Sequence, residues 1–285
     1  MDIFESLPLE GIYDVRILCG WDVNDAYKVY AKGGEYFCLV QKNARKNFYQ
    51  AEVMGLKLFE KNNIKAPRVI SCGLVGMDAY LLLDFLEEGF VGDFRDLGRL
   101  IADLHRIESP NGQFGFDYAY HGSRIIFSNT YKDTWKEVFL EERMDKLSAL
   151  LLETSLWDES RYKTYEKVRK IIEEALDKHT SRPSLLHGDL WSGNFMFLKD
   201  GQPAIFDPSP FYGDREFDLG ISMVFSGFDK SFYQAYNKYY PLDEGFALRL
   251  EFYKLYFLMV HLHKFGSSYK TSVDRAMDKI ISFKG

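Results

Sequence analysis

The sequence predicts an α+β protein of two lobes, with an antiparallel sheet and one helix in the first and mostly helices in the second. Short runs of β-formers fill residues 13–85, and three-to-four-residue apolar spacing dominates afterwards. The change falls at Glu87-Glu88-Gly89, which places the lobes at 1–88 and 89–285. A chain of 285 residues, 46% hydrophobic and 16% aromatic, has enough apolar surface for both cores.

The first strands are expected at Tyr13 to Cys19, Ala26 to Ala31 and Tyr36 to Lys42, with Gly33-Gly34 suited to a tight hairpin turn. Residues 46–61 carry Phe48, Val53, Leu56 and Phe59 on one stripe and predict a helix. Strands over Arg68 to Cys72 and Ala79 to Phe85 complete a meander. Helices follow at Asp93 to Ile107, Lys132 to Leu152 and Tyr162 to Lys178. Ser109 to Thr130, rich in Gly, Asn, Ser and aromatics, is too long for a simple connector and suits a binding loop. Leu242 to Phe265 is apolar nearly all round and predicts a buried helix.

Composition excludes several classes. The net charge of −6 repels a phosphate backbone, and the basic cluster Lys42 to Lys46 is too small to reverse that, so no nucleic acid partner is expected. No apolar run approaches the roughly 18 residues that span a bilayer, and the start MDIFESLPLEG lacks the basic residues of a signal peptide, so no membrane partner is expected either. Cys19, Cys38 and Cys72 are too few and too widely spaced for a disulfide framework or a CxxC motif; a reducing cytoplasm is the expected setting.

The chemistry concentrates in SLLHGDLWSGNFMF, residues 184–197. Two short strands flank a polar loop, and a third, Pro203 to Phe206, ends at Asp207 after a Lys199-Asp200-Gly201 turn. Five residues separate Asp189 from Asn194, and thirteen more lead to Asp207. That spacing equals the one between the catalytic Asp, the metal-binding Asn and the metal-binding Asp of the protein-kinase signature. Phosphoryl transfer needs oxygen ligands for magnesium beside a triphosphate, and a carboxylate that orients the attacking hydroxyl and takes its proton. Asp189 suits the base, and Asn194 with Asp207 suits the metal. A rival reading makes His187 and Asp189 ligands of a hydrolytic metal, but the remaining histidines form no H-E-x-x-H pair. For each residue alone, a turn or a strand terminator remains the plainer reading.

HGDLWSGN, followed by IFDPSPFYGDREFDLGIS, resembles the fructosamine kinase (ketosamine-3-kinase) family, a branch of the protein-kinase-like fold related to aminoglycoside and choline kinases. FGFDYAYHGS, SNTYKDTWKEVFLEERM and YPLDEGFALRLEFYKLYFLMVHL extend the resemblance over nearly the whole chain. H-G-D-x-x-x-x-N alone marks only the superfamily; the tryptophan, the Asp-Pro pair and YGDRE-x-D mark the branch.

The resemblance implies an ATP- and Mg²⁺-dependent kinase for a sugar hydroxyl of a glycated amine, with Asp189 as base and Asn194 and Asp207 on the metal. It implies that His187 and Asp218 support the loop. Trp191 would offer a face to the sugar or fill the core, and Asp214 or Glu216 would meet the protonated amine. Asn129 would be a further substrate contact, whereas Trp135, Arg143 and His105 read as structural. In the first lobe, CGWDVNDAYKV would cover the nucleotide with Gly20 and Asn24, and Glu52 would be the helix glutamate. Leu39 then falls where the family's phosphate-binding lysine belongs. Lys42, three residues on, lies on the opposite face of an extended strand unless a bulge or another register intervenes; Lys46 is the other candidate. A kinase for an aminoglycoside or amino alcohol, and a nucleotide-binding pseudokinase, stand as alternatives.

Overall fold

The computed structural model describes residues 3–18, 25–44, 47–121 and 125–283. The chain forms two compact units, one of Met1–Asp93 with Met196–Pro208, the other of Phe94–Phe195 with Ser209–Gly285.

In the first unit, β1 (Asp14–Leu18), β2 (Asp25–Ala31), β3 (Gly34–Gln41), β4 (Val69–Val75) and β5 (Asp78–Asp84) form an antiparallel sheet in the order β1-β2-β3-β5-β4. Strand alternation gives it two faces. On one, Val29, Cys38, Val40, Tyr80 and Leu82 pack with Leu7, covered by Ile3, Phe4, Leu9 and Ile12. Register aligns Ala26, Leu39, Leu81 and Cys72 in a row on the other face. Helix α1 (Gln50–Lys61) lies on that face, burying Val53, Leu56 and Phe59, with the Gln50 amide 3.9 Å from Cys72 Sγ.

The hairpin of Met196–Pro208 joins this unit for a local reason. The Gly89 N–H donates to Phe197 O at 2.7 Å, and the Ile205 N–H donates to Lys65 O at 3.0 Å. A Cβ on Gly89 would sit 2.3 Å from Leu198 O, so only glycine admits this approach.

In the second unit, α2 (Phe94–His105) packs on a later helix, Lys230–Tyr239. The Ser109-to-Thr130 segment is tied down by two-residue strands β6 (Tyr120–His121) and β7 (Ile126–Phe127) and by the Phe116 N–H donating to Asn129 O at 2.6 Å. The single helix expected over Lys132 to Leu152 is instead a π-helix, Glu137–Asp145, continuing into α3 (Lys146–Glu153). Val138, Phe139, Leu140, Arg143 and Met144 are all buried, and the wider π-turn brings these five to the interior within nine residues.

Next come α4 (Glu159–Asp177), then β8 (Ser184–Leu186), β9 (Phe195–Phe197), β10 (Pro203–Ile205) and β11 (Phe211–Gly213). Strand β8 pairs with β11, and β9 with β10. The chain ends in α5 (Glu216–Ser222), α6 (Lys230–Tyr239), α7 (Phe246–Phe265) and α8 (Lys270–Ile281). Helix α7 is buried on most sides, as its all-round apolarity requires, and Tyr253 packs with Trp135, Phe139 and Phe217 in an aromatic core. Among the described residues, no helix is long and apolar enough to cross a membrane.

Candidate active site

The loop between β8 and β9 takes its shape from one carboxylate and one glycine. Asp218, on α5, is fully buried; it accepts the His187 N–H at 2.7 Å and the Gly188 N–H at 2.9 Å. His105 Nε2 lies 3.1 Å from the same carboxylate, and its Nδ1 lies 2.8 Å from the Tyr236 hydroxyl. A buried carboxylate needs this number of partners, because an unmet charge there costs several kcal/mol. Gly188 has φ +81°, and a Cβ would sit 1.9 Å from Ser209 O. The glycine of H-G-D is therefore a backbone requirement.

That turn presents Asp189. Its backbone N–H donates to His187 Nδ1 at 3.3 Å, and its carbonyl accepts from the Trp191 N–H at 3.1 Å. Asn194 closes the loop by donating its amide to Asp189 O at 2.8 Å and to Asp189 Oδ2 at 3.2 Å. Asn194 is 1% exposed, and its Oδ1 has no hydrogen-bond partner. An orphaned buried carbonyl oxygen is costly, and it is the atom type that hard cations take as ligand. The site chemistry thus fits magnesium at Asn194.

Asp189 and Gly188 line a pocket with Arg143, Ser209, Phe211 and Tyr256. Among the described residues, its lining includes one carboxylate and one guanidinium. Burial pushes the Tyr256 phenol up to about 12, with Arg143 opposing the rise and Asp189 adding to it.

The other expected substrate residues lie elsewhere. Trp191 meets Phe225 edge to face at 6.4 Å, and a Cβ on Gly193 would strike its ring at 2.2 Å, so that glycine makes room for the indole. Asn129 is buried, donating to Tyr118 O at 2.8 Å and accepting from Arg143. Burial works against the charge on Asp214, but His179 Nε2 at 2.8 Å, the Ser181 hydroxyl at 2.6 Å and the Glu216 N–H hold its carboxyl below the usual range. Glu216 accepts a two-pronged contact from Arg249, at 2.7 Å on each oxygen. Burial raises its pKa despite that partner. Neither carboxylate lines the pocket at Asp189.

In the first unit, Leu39 is 7% exposed in the row facing α1. Lys42 follows the end of β3 and pairs with Asp25 at 3.6 Å, both side chains exposed. Asp25 pairs in register with Val40, on the face away from α1, as strand parity requires of Lys42. Glu52, on α1, is half-buried, and desolvation, reinforced by the negative charge of Asp207, raises its carboxyl well above the usual range. Asp207 holds φ +54°, a left-handed conformation that aspartate tolerates better than most residues. Gly20, Asn24 and Lys46 lie outside the described residues.

Sequence reasoning missed Arg143, Ser209 and Tyr256 as pocket residues. The signal was faint: an arginine inside an apolar helical pattern looks like a surface residue until the π-turn brings it inward.

The model of the fructosamine kinase family matches residues 10–283. A protein of Staphylococcus aureus named probable ketoamine kinase is 52% identical over 277 residues, 97% of this chain and 96% of that one. The chloroplastic protein-ribulosamine 3-kinase of Arabidopsis thaliana is 29% identical over 262 residues, 91% of this chain and 80% of that one. Among solved structures, a candidate fructosamine-3-kinase of Haemophilus somnus superposes with a TM-score of 0.84 at 27% identity, covering 95% of this chain and 92% of that one. The aminoglycoside phosphotransferase APH(4)-Ia shares the fold alone, with a TM-score of 0.64 at 13% identity over 95% of this chain and 93% of that one. The α+β architecture is therefore the two-lobed protein-kinase-like one.

Proposed function

The chain belongs to the fructosamine kinase family, and we propose that it transfers the γ-phosphoryl group of ATP to the 3-hydroxyl of a ketosamine, a fructose- or ribulose-type sugar joined to an amine. The observation that carries this reading is the placement of Asp189, which lines a pocket on a loop that Asp218 and Gly188 hold in one shape.

Asp189 would accept the proton of the attacking hydroxyl and orient its oxygen for in-line attack. Its bond from Asn194 helps hold the carboxylate in one orientation. Asn194 Oδ1 and the carboxylate of Asp207 would hold magnesium. Magnesium, when bound, offsets the charge of the phosphate oxygens. Asp218 keeps the loop backbone from relaxing, and His187 and His105 complete that support. Trp191 would serve packing, against Phe225 and Gly193. Asp214 and Glu216 would serve the fold through His179 and Arg249. A phosphate beside the ketone carbon makes the sugar–amine linkage labile, so the reaction amounts to deglycation. The proposed setting is the cytoplasm, in keeping with the free thiols of Cys38 and Cys72.

A polycationic aminoglycoside fits less well, because the described residues of the pocket offer one carboxylate and a guanidinium rather than a ring of acids. The test is incubation with Mg-ATP and a panel of a ribulosamine, a fructosamine, an aminoglycoside and an amino alcohol, with products read by phosphorus NMR. The expected result is a 3-phosphate on the ketosamines. Transfer to the aminoglycoside or amino alcohol alone, or no transfer at all, would overturn the reading.

A further inference from the structure

Arg143 is 2% exposed and sits in the π-helix Glu137–Asp145, a geometry that is rare at this length and frequent at functional sites. Its Nη1 donates to Ser128 O at 3.2 Å, and its Nη2 donates to Asn129 Oδ1. The guanidinium lies 4.7 Å from the Phe211 ring centre and 5.4 Å from that of Phe127. Among the described residues, no carboxylate forms an ion pair with it. A carbonyl, an amide and two ring faces thus hold a desolvated cation, a costly arrangement that a methionine or leucine of similar volume would avoid.

Arg143 lines the same pocket as Asp189. A guanidinium has five N–H donors and no acceptor, and two of its donors are already directed to Ser128 and Asn129. What it can receive from the pocket is an oxygen lone pair, and what it repels is an ammonium group. A ketosamine carries both, a chain of sugar oxygens at one end and a protonated amine at the other.

Resting on the ketosamine-kinase reading, we propose that Arg143 is the sugar-recognition residue of the acceptor pocket. It donates to sugar oxygens beyond the hydroxyl that Asp189 receives, and its charge turns the amine-bearing end toward solvent. An amine at the mouth of the pocket leaves room for a large group behind it, up to a whole protein. Asn129 is the positioning residue that fixes the guanidinium plane through Nη2.

The test uses the full-length wild type, Arg143→Gln, Arg143→Lys and Asn129→Ala, each checked by thermal melting, with KM and kcat measured separately for a ribulosamine and for ATP. Arg143→Gln is expected to raise the ketosamine KM by about 10-fold or more with the ATP KM within about twofold, the pattern of a lost substrate contact. Arg143→Lys, which keeps the charge without the planar fork, should recover part of that loss. A folded Arg143→Gln with an unchanged ketosamine KM, or with both KM values raised alike, would overturn the proposal. Should Arg143→Gln not fold, Asn129→Ala decides: a rise of about threefold or more in the ketosamine KM alone supports the proposal, and no rise overturns it. A wild type that binds Mg-ATP but phosphorylates no ketosamine overturns the underlying reading, and that shows before any variant is made.

Discussion

The loop from Ser184 to Asn194 in the second unit and the strand from Gly34 to Gln41 in the first both carry positions expected to matter for phosphoryl transfer, and they differ in how their charges are met. Around the loop, Asp218 takes two backbone N–H groups and a histidine, and Asn194 braces Asp189. On the strand side, Leu39 stands where a lysine is expected, Lys42 is engaged with Asp25 at the surface, and Glu52 has no ion-pair partner among the described residues. Burial, with the charge of Asp207 adding to it, raises its pKa. The difference teaches where function should be robust. On the proposed reading, chemistry would depend on a pre-organised loop, and nucleotide affinity on a strand that supplies little positive charge.

Substitutions can break or sharpen that contrast. The largest effect is expected for Asp189→Asn, which should lower kcat by about 10³-fold with the melting temperature nearly unchanged, as measured by steady-state turnover. Asp218→Asn comes next. It replaces an acceptor oxygen with a donor facing buried N–H groups, which should cost about 1–3 kcal/mol of stability and lower kcat by about 10²-fold through loss of loop shape.

Asp214→Asn should affect stability with little change in rate. The Asp214 carboxyl sits below its usual range, so its contribution is present above the unfolded value near 4 and disappears as pH falls through the lower folded value. The variant should lose about 1–3 kcal/mol at neutral pH, with the gap to the wild type closing below about pH 4 in denaturant titrations. A tenfold rise in ketosamine KM without loss of stability would instead place Asp214 on the substrate amine.

The strand side should show small effects. Leu39→Lys puts a cation on the face that α1 covers and should tighten Mg-ATP by about 3- to 10-fold in calorimetry. Glu52→Gln should change the ATP KM by less than about threefold, because no described cation depends on its charge. A change of about tenfold or more would show that a cation reaches Glu52 in the nucleotide-bound protein.

Much of the fold was legible because local pattern determined it. The five strands of the first sheet follow short β-rich runs, and α7 follows an all-apolar stretch. The π-helix was not legible, since hydrophobic spacing over Lys132 to Leu152 fits an α-helix until the burial of Arg143 adds its own demand. Helix α5 is seven residues long and buried throughout, so it shows no amphipathic stripe, and α6 is only ten residues long. Helix α8 buries Val273, Ala276, Met277 and Ile280 at helical spacing, a stripe that the sequence reading passed over.

Asp189, Asn194 and Asp207 were singled out as candidates by spacing, because the segments that carry them are contiguous in sequence. The long-range partners were harder to see. Nothing local to Asp214 indicates that His179 and Ser181, more than thirty residues earlier, will engage its carboxylate. Arg143 enters the pocket only through a backbone widening that residue types do not announce.

The most direct measurement is a single-turnover experiment with the wild type at saturating Mg-ATP and a ribulosamine, with phosphorylated product followed against time and nucleotide concentration. The account calls for transfer to the 3-hydroxyl that needs high nucleotide concentration yet proceeds to completion. Mg-ATP bound at saturation, with no phosphorylated ketosamine at any concentration, would contradict it.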